Sequence, residues 1–341
     1  MGIRTKQTGL SLIELMVASA IGLLLLLGVT TIVINSSRAH KEISALSQQL
    51  ENGRYAMQIL AEDIRHAGFY GQLFGAIPTY TGATLPDPCT LTMSDLVAHL
   101  DLPVQGYDGP ADASALSCLD DANYVPFTDI LVIRRAETRL ADKASLDAGE
   151  VYIQSLPNDR EINTGENAAA FDLVTAGTPS TDAPIRKYRV DIYFISPCST
   201  AADCVANADG GNPIPTLKRL ELTQVGGTTK MRMVPLVEGI ENLQIDWGID
   251  NSGDGAPNES DPGVSGDDYL AIPTSMDQWK NVVALHVYIL ARNIEASPGY
   301  TDQKTYSFGE SGTDAPGGNF KRHLYSGVVR LLNVSSRREE S

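Results

Sequence analysis

The sequence predicts an α+β fold, in which one long N-terminal helix packs on an antiparallel, β-rich globular head. Residues 10–68 contain no proline, so nothing in that stretch forces a helix to end. Residues 10–34 are almost entirely apolar, and the residues from there to 68 mix apolar and polar side chains at helical spacing. After Pro78 the chain becomes rich in Gly, Pro, Asp, Thr and Ser, with short apolar runs that are typical of strands.

Composition places the chain among folded proteins and limits its partners. The 341 residues are enough for one large domain or two ordinary ones, and 43% hydrophobic with 20% charged residues exclude a disordered tail. The formal net charge of −16 repels phosphate backbones, so we expect no direct binding of nucleic acid by the head. No internal repeat is visible in the sequence.

The first 34 residues predict a membrane anchor behind a cytoplasmic leader. Residues 1–9 carry Arg4 and Lys6 and no acidic residue, which is typical of a cytoplasmic flank. Residues 10–34 can cross a bilayer as a helix, since each residue adds about 1.5 Å. A cleaved secretory signal has a shorter apolar core and a small-residue cleavage site. We therefore expect a single-pass membrane protein whose residues after the span lie outside the cytoplasm.

Glu14 stands inside this apolar run, although a carboxylate at the bilayer centre costs roughly 2.5–3.5 kcal/mol. It is the fifth residue after Gly9, and Leu10 follows the glycine directly. This order, behind a basic leader and at the start of an apolar helix, resembles the class III signal of type IV prepilins and pseudopilins. The resemblance implies that a prepilin peptidase cleaves after Gly9 and methylates the new amine of Leu10, where most family members have phenylalanine.

The same resemblance implies an assembly role for Glu14. In pilins the glutamate is thought to attract the N-terminal amine of a neighbouring subunit, here the amine of Leu10, and to set the register of docking. The physical reason is that an unpaired buried charge is expensive and an opposite charge offsets its cost. The alternative is an uncleaved anchor whose glutamate is protonated or extends to the membrane surface.

Residues 35–68 are predicted to continue this helix as an amphipathic segment. Apolar side chains at steps of three and four residues form one stripe for packing on the head. The stripe consists of Ile43, Leu46, Leu50, Met57, Leu60 and Ile64. Gly53 occupies a stripe position and weakens it. The whole helix would measure on the order of 85–90 Å, and a free coiled coil is the alternative to packing on the head.

Residues 69–341 are predicted to form the β-rich head. Short apolar runs, separated by turn signals such as "VGGTT" and "NSGDG", predict antiparallel strands. The runs are "DILVIRRAE", "VYIQSL", "YRVDIYFIS", "LKRLELTQV", "NLQIDWGI", "VVALHVYILARN" and "SGVVRLLNV". Alternation from Val190 to Ile195 predicts a strand that is buried on one face. Residues 79–129 form an insertion of loops and short elements that the pattern does not assign.

Four cysteines, an even number, predict two disulfides in an exported head. Three connectivities are allowed, and we favour Cys89–Cys118 with Cys198–Cys204 because "CSTAADC" closes a short surface loop. A zinc site is the competing interpretation. It is disfavoured because the cysteines lack Cys-x-x-Cys spacing and the five histidines are scattered.

The loop "GIDNSGDGAPNESD" resembles the opening of a calcium-binding loop. Asp250, Ser252 and Asp254 stand at alternate positions before a glycine, and Asp261 occupies the twelfth position, where glutamate is usual. Oxygen ligands at alternate positions let a turning backbone wrap one hard cation. The competing interpretation is a solvated Asp/Asn/Gly loop. We expect no required cofactor, with Ca²⁺ as the one candidate ligand.

The second half of the head carries a further resemblance. The segments "VPLVEGIENLQIDWGIDNSGDG", "WKNVVALHVYILARN" and "HLYSGVVRLLNVSSR" resemble the C-terminal half of PilW-type minor pilins. The segment "ENGRYAMQILAEDIRHAGFYG" resembles the end of their long helix. The resemblance implies a low-abundance subunit that primes assembly of an extracellular type IV pilus. Its partners would be other minor pilins, the major pilin and a tip adhesin, and twitching motility and cell adhesion would depend on it.

Two other functions remain open from the residues. A minor pseudopilin of a type II secretion system would share the signal, the helix and the class of head, and a binding module at the pilus tip would contact a surface or ligand itself. We expect no enzyme, because the chain contains no G-x-S-x-G, H-E-x-x-H or G-x-x-x-x-G-K-[ST] motif.

Overall fold

The structure, a computed structural model, describes residues 9, 11–75, 77–257 and 268–339. The chain divides into two compact units, Met1–Gln48 and Gln49–Ser341. The helices are α1 (Leu12–His66), α2 (Met93–Ala98), α3 (Met276–Lys280) and α4 (Leu332–Glu339). The strands are β1 (Val104–Tyr107), β2 (Ile130–Ala141), β3 (Val151–Leu156), β4 (Asp159–Thr164), β5 (Ile185–Ser196), β6 (Thr216–Val225), β7 (Thr228–Glu238), β8 (Ile240–Ile249), β9 (Tyr269–Leu270), β10 (Val282–Arg292), β11 (Tyr306–Ser307), β12 (Thr313–Asp314) and β13 (Arg322–Arg330). The predicted α+β class, a long N-terminal helix followed by an antiparallel β-rich head, is confirmed.

The first unit contains the N-terminal part of α1. Large apolar side chains between Leu12 and Ile34 are 50–77% exposed. The hydroxyls of Thr30 and Thr31 donate to backbone carbonyls one turn earlier, so they add no unpaired polar group to this surface. Among the described residues, α1 is the helix that is long and apolar enough to cross a membrane. Together with the prepilin-type signal, this surface indicates membrane anchoring.

The second unit is built on two antiparallel sheets. In the first sheet the order is β1-β2-β5-β3-β4, with β6 also paired to β5 and β7 paired to β6. Strand β5 pairs with β2 along one edge, while its other edge pairs first with β3 and then with β6. The second sheet has the order β13-β10-β8-β9, and β11 with β12 forms a small separate hairpin. The second sheet supplies much of the surface on which α1 lies.

Two hydrophobic cores lie on opposite faces of the first sheet. Leu131 and Ile133 of β2 belong to the core shared with α1 and the second sheet. Ile130 and Val132, which point the other way, belong to a core covered by α2 and neighbouring loops. The prediction that β5 is buried on one face is therefore wrong, since every residue from Val190 to Ser196 is buried. The reason is that both faces of this sheet are covered.

One further expectation needs correction. The last apolar run, "SGVVRLLNV", does not remain extended, because β13 ends at Arg330 and α4 begins at Leu332. The short elements of the insertion at residues 79–129, which the sequence pattern did not assign, include α2 and also β1, an edge strand of the first sheet.

Both disulfides form with the favoured pairing. The Cα atoms of Cys89 and Cys118 are 5.6 Å apart, and those of Cys198 and Cys204 are 5.7 Å apart. None of the four cysteines is free. Within the described residues, no group of three or more His, Cys, Asp or Glu side chains could hold a metal ion, which leaves the competing zinc interpretation without a site.

Candidate functional site

Glu14 has a local partner at the start of α1. The backbone N–H of Ser11 donates to a carboxylate oxygen of Glu14 at 3.0 Å, and the carbonyl of Ser11 accepts from the N–H of Leu15 at 3.1 Å. Ser11 is thus the N-cap residue and Glu14 the third helical residue, as in half of a capping box. Sequence analysis missed this role, although the pattern S-x-x-E was present to indicate it.

Gly9 is exposed, and a Cβ built on it would meet no atom within 4 Å. Packing among the described residues therefore gives no reason for a glycine at this position, whereas recognition by a peptidase does. Leu10, the predicted site of methylation, lies outside the described residues. The roles of Gly9 and Leu10 in processing stay predictions.

The second half of α1, from Gln49 onward, lies on the head through both polar and apolar side chains. Gln49, Gly53, Leu60, Asp63 and Ile64 are all buried. Together with the buried Ala56 between them, they follow one another at steps of three and four residues (49, 53, 56, 60, then 63 and 64), so they form one face of the helix. We call these five residues the helix seat. Leu60, Ile64 and the position of Gly53 were predicted to lie on this face, whereas the two polar members were not.

The upper part of the helix seat contacts the second sheet. The side-chain amide of Gln49 donates to the carbonyl of Ala291 at 2.8 Å and to that of Lys321 at 3.0 Å. A Cβ at Gly53 would overlap the ring of Tyr325, which lies directly against the helix backbone. The sequence suggested that Gly53 weakens the packing. Instead, the absence of a side chain at Gly53 permits β13 to approach the helix closely.

The lower part of the helix seat carries a buried charge. Asp63 is 6% exposed, and its carboxylate lies 2.7 Å from the guanidinium of Arg135 on β2. The hydroxyl of Tyr193 on β5 also donates to this carboxylate. Burial raises the pKa of Tyr193 well above its ordinary value, with help from Asp191 and Asp63, so the phenol keeps its proton and remains a donor. This contact fixes α1 on two strands at once.

A charged cluster on β5 and β6 adjoins Asp63. Asp191 is fully buried and lies 2.9 Å from Arg189 and 3.6 Å from Arg219, while Glu221 lies 2.6 Å from Arg219. Burial raises the pKa of Asp191 in spite of both guanidinium groups, and the charge of Asp63 adds to the rise. The carboxylates of Asp191 and Glu221 thus share the guanidinium groups of Arg189 and Arg219. This sharing stabilises the charged residues buried in this sheet.

The C-terminal residues cap the end of α1. The side-chain amide of Asn333 donates to the carbonyls of Arg65 at 3.4 Å and Ala67 at 3.2 Å, and the guanidinium of Arg337 donates to the carbonyl of Gly68 at 3.0 Å. Gly68 has a φ of +72°, the left-handed conformation that commonly ends helices. We call Asn333 and Arg337 the C-terminal clasp, since they satisfy carbonyls that a helix end leaves unpaired.

The first half of the predicted apolar stripe is exposed. Ile43 is 65% exposed, Leu46 37% and Leu50 41%, and the neighbouring Tyr55 is 53% exposed. The stripe prediction is therefore wrong for Leu50, because its neighbour Gln49 is buried against the head in its place.

The acidic loop is closed by a guanidinium. Asp250 is fully buried, and one carboxylate oxygen accepts from Arg338 at 2.8 Å. The carboxylate also accepts from the N–H of Gly253 at 2.6 Å and from that of Gly255 at 3.0 Å, and from the hydroxyl of Ser252 at 3.1 Å. Burial alone would raise the pKa of Asp250, but Arg338 and these amides together lower it.

Asp250 was predicted to be the first ligand of the calcium site. Its carboxylate is already paired with the guanidinium of Arg338, which supplies the positive charge that a cation would otherwise provide. Asp254 accepts from the N–H of Ala256 at 2.9 Å, as in a local turn. Asp261 lies outside the described residues. Calcium binding stays a prediction, which the described residues do not favour.

An open groove of about 600 Å³ lies elsewhere on the head. Its rim includes Phe127, which is 70% exposed and has a φ of +64°, an uncommon conformation for a bulky residue. Its backbone is held there because Gln244 donates to the carbonyl of Phe127 at 2.9 Å and the N–H of Phe127 donates to Pro110 at 3.1 Å. The groove lining also includes Asp108.

Comparison with known families adds two matches. Residues 4–30 match the prokaryotic N-terminal methylation motif, which includes Gly9, Leu10 and Glu14. Residues 192–333 match PilW, the type IV pilus-assembly protein W. The resemblance inferred from the sequence is confirmed. The PilW match runs from within β5 to the first of the two clasp residues, so it contains the whole second sheet.

These matches support a minor pilin of a type IV pilus. The prepilin-type motif implies processing by a prepilin peptidase and partners within a pilus, and PilW is by its description an assembly protein. No curated protein and no solved structure gives a significant match to the chain.

Proposed function

We propose that this protein is a minor pilin that primes assembly of a type IV pilus and is incorporated near its tip. A prepilin peptidase removes residues 1–9 and methylates Leu10 in the inner membrane, and the head lies in the periplasm of a Gram-negative bacterium. The mature chain then docks through α1 with other minor pilins and the major pilin, below a tip adhesin. The proposed role is structural and contains no catalytic step.

The observation that carries the proposal is the prepilin-type N-terminus continued, without a break, by a helix that ends on a PilW-type head. The first part of that helix exposes apolar side chains, and the second is held by the helix seat and the C-terminal clasp. A subunit of this kind inserts one end into a filament core while its head remains outside. Twitching motility and adhesion would then depend on it through filament number.

Glu14 has two separable roles in this proposal. Its carboxylate caps the N-terminus of α1 in its own chain, through Ser11, and its charge attracts the amine of Leu10 in a neighbouring subunit during docking. Glutamine also serves at the third position of a capping box but carries no charge. Glu14→Gln therefore removes the attraction and keeps the cap, whereas Glu14→Ala removes both.

The test is complementation of a deletion strain with wild type, Gly9→Ala, Glu14→Gln and Glu14→Ala, scored by filament counts and intact mass. We expect wild-type protein to begin at N-methylated Leu10, and Gly9→Ala to keep its leader and to form no filaments. Glu14→Gln should be processed but should reduce filaments nearly as far as Glu14→Ala. Full piliation by Glu14→Gln would contradict the charge role, and a retained leader in wild type would contradict processing.

The deletion strain also separates the competing functions. Loss of all filaments supports priming, whereas normal filaments with blocked export of secreted enzymes would identify a pseudopilin of a type II secretion system. A binding role at the tip is favoured by one observation, the exposed and strained Phe127 at the rim of an open groove. Phe127→Ala should leave filament number unchanged and reduce adhesion if the head itself binds a surface.

A further inference from the structure

Lys218 is a buried lysine beneath the loop that Cys198 and Cys204 close. It lies in β6, opposite Phe194 of β5 and Pro235 of β7, and it has no exposed surface. A lysine in the middle of a sheet normally extends its ammonium to solvent or to a carboxylate. The surroundings of this ammonium are therefore informative.

The neighbours of the Lys218 ammonium are sulfur atoms. Its Nζ lies 3.5 Å from the Sγ of Cys198, 3.7 Å from the Sγ of Cys204 and 3.7 Å from the Sδ of Met233. Within the part of the chain that the structure describes, no carboxylate forms an ion pair with it. Sulfur in a disulfide or a thioether is a weak acceptor and carries no charge, so the ammonium is poorly compensated.

Two acids lie farther away and do not cancel this cost. Burial lowers the pKa of Lys218 from its usual value, and the charges of Asp209 and Asp203 oppose that change without reversing it. Asp209 is already engaged, since it accepts from the N–H of Ser199 at 3.1 Å and from its hydroxyl at 2.7 Å. A thiolate on either cysteine would be a much closer counter-ion for the ammonium.

Each sulfur of this disulfide also has a hydroxyl beside it. The hydroxyl of Thr200 lies 3.3 Å from the Sγ of Cys198, and that of Ser196 lies 3.2 Å from the Sγ of Cys204. Hydroxyl and ammonium donors stabilise a thiolate more than they stabilise a disulfide sulfur. The donors that favour the reduced thiolate form, the ammonium of Lys218 and the hydroxyls of Ser196 and Thr200, therefore already lie beside the disulfide.

The other disulfide, Cys89–Cys118, offers a comparison within the same molecule. Here a backbone amide lies beside the sulfur, with the nitrogen of Cys118 3.1 Å from the Sγ of Cys89. Among the described residues, no lysine, arginine or hydroxyl side chain is within hydrogen-bond distance of either of its sulfurs. Each disulfide has one buried and one partly exposed cysteine, so access to a reductant is similar. The difference between the two bonds is chemical.

We propose that the Cys198–Cys204 disulfide is a thiol-exchange site for a dithiol oxidoreductase, with Lys218 stabilising the thiolate that leaves. The thiolate of the oxidoreductase attacks the Sγ of Cys204, which is partly exposed, whereas Cys198 is 2% exposed. The S–S bond breaks and its electron pair goes to Cys198, whose thiolate lies beside Lys218 and Thr200. A lower pKa of this leaving thiol makes the attack faster.

The second step completes the exchange. The other thiol of the oxidoreductase, as its thiolate, attacks its own sulfur in the mixed disulfide, and the electron pair returns to Cys204, which takes up a proton. The oxidoreductase ends with one disulfide, and the head ends with two reduced cysteines. The reverse sequence closes the loop. The bond spans only six residues in sequence, so its opening frees a short loop and leaves β5 and β6 paired.

The experiment measures both disulfides at once in the full chain in detergent. The protein is exposed to limiting dithiothreitol at pH 7 and quenched with acid, and its free thiols are alkylated and quantified by peptide mass spectrometry. We expect Cys198–Cys204 to open at least tenfold faster than Cys89–Cys118. Lys218→Met should slow the opening of Cys198–Cys204 several-fold and leave the opening of Cys89–Cys118 unchanged. Lys230→Met, at an exposed position on β7, should change neither rate.

A second probe is a thioredoxin that lacks its resolving cysteine, which should form a mixed disulfide at Cys204. The ratio of the two rates within one molecule is the decisive quantity, because a general loosening of the head by Lys218→Met would accelerate both bonds together. A ratio near one in wild type, or a ratio that Lys218→Met leaves unchanged, would overturn the proposal. Trapping of thioredoxin on Cys198 would refute the direction of attack.

Discussion

Removing the charge of Asp63 should loosen the attachment of α1 to the head. Asp63→Asn keeps the shape of the side chain and an oxygen that can accept from Tyr193, but it leaves Arg135 without a counter-ion. The side chains of the pair are 9% and 16% exposed. Removing one partner of a buried pair typically costs about 3–5 kcal/mol, and the remaining exposure places this pair near 3 kcal/mol. For a head of about 300 residues, this lowers the melting temperature by about 5 °C.

The assay is urea denaturation of the full chain in detergent, followed by the fluorescence of Trp247 and Trp279. These rings are 1% and 3% exposed and 4.7 Å apart in the core that α1 shares with the second sheet, so they report on the seat. Glu62→Gln is the matched control, because it removes the same charge from an exposed position one residue earlier. It should change the free energy of unfolding by less than about 0.5 kcal/mol.

A double variant separates the charge from the packing. Replacing Asp63 by Leu together with Arg135 by Met exchanges the ion pair for apolar contact. The exchange is made in a chain that also carries Tyr193→Phe, so that no buried hydroxyl is left without its acceptor. Relative to Tyr193→Phe alone, the double variant should be nearly neutral or stabilising, by up to about 4 kcal/mol. The reasoning fails if Asp63→Asn unfolds within about 0.5 kcal/mol of wild type, or if the double variant is as unstable as the single one.

Three further predictions concern the rest of the head. Replacing Cys89 and Cys118 by Ser should reduce the free energy of unfolding in urea by about 3.5 kcal/mol, because that disulfide closes a loop of 29 residues; an unchanged midpoint would contradict this. The pKa of Asp250 is depressed in the folded state, so its contribution is present above about pH 4 and is lost as the pH falls through the lower folded value. Arg338→Gln should therefore flatten the acid side of the stability profile below about pH 4, and an unaltered profile would count against the pair. Added Ca²⁺ should leave the melting temperature of wild type unchanged, since Arg338 already compensates Asp250, and a rise at millimolar Ca²⁺ would instead support the calcium site.

The strands were predictable where β-branched and aromatic residues cluster. The run "VYIQSL" corresponds to β3, Val151–Leu156, and the run "VVALHVYILARN" contains β10. Strand β7 was missed because Lys230, Arg232 and Pro235 interrupt its apolar residues. Proline has no N–H for a ladder and is confined to edges, and β7 is an edge strand beside a bulge at Leu217 and Lys218.

The helix seat was only half predictable, for a physical reason. Hydrophobic periodicity finds Leu60 and Ile64, but it assigns Gln49 and Asp63 to the solvent side. Both are buried because their partners come from far along the chain, at Ala291 and Arg135. The same holds for the ammonium of Lys218, since no local pattern shows that a lysine in a strand lies beneath a disulfide loop. Partners distant in sequence are what a single sequence does not display.

The C-terminal clasp has a consequence for synthesis of the chain. The carbonyls at Arg65 and Ala67 emerge early from the ribosome, whereas Asn333 and β13 emerge last. The second half of α1 is therefore synthesised long before β13, one of the strands that it contacts, is available. A chain truncated before Arg322 lacks Tyr325 and the clasp, and so cannot complete the seat at Gly53. In such a chain the second half of α1 keeps its contacts to Ala291, Arg135 and Tyr193 but lacks those at Gly53 and at its C-terminal end.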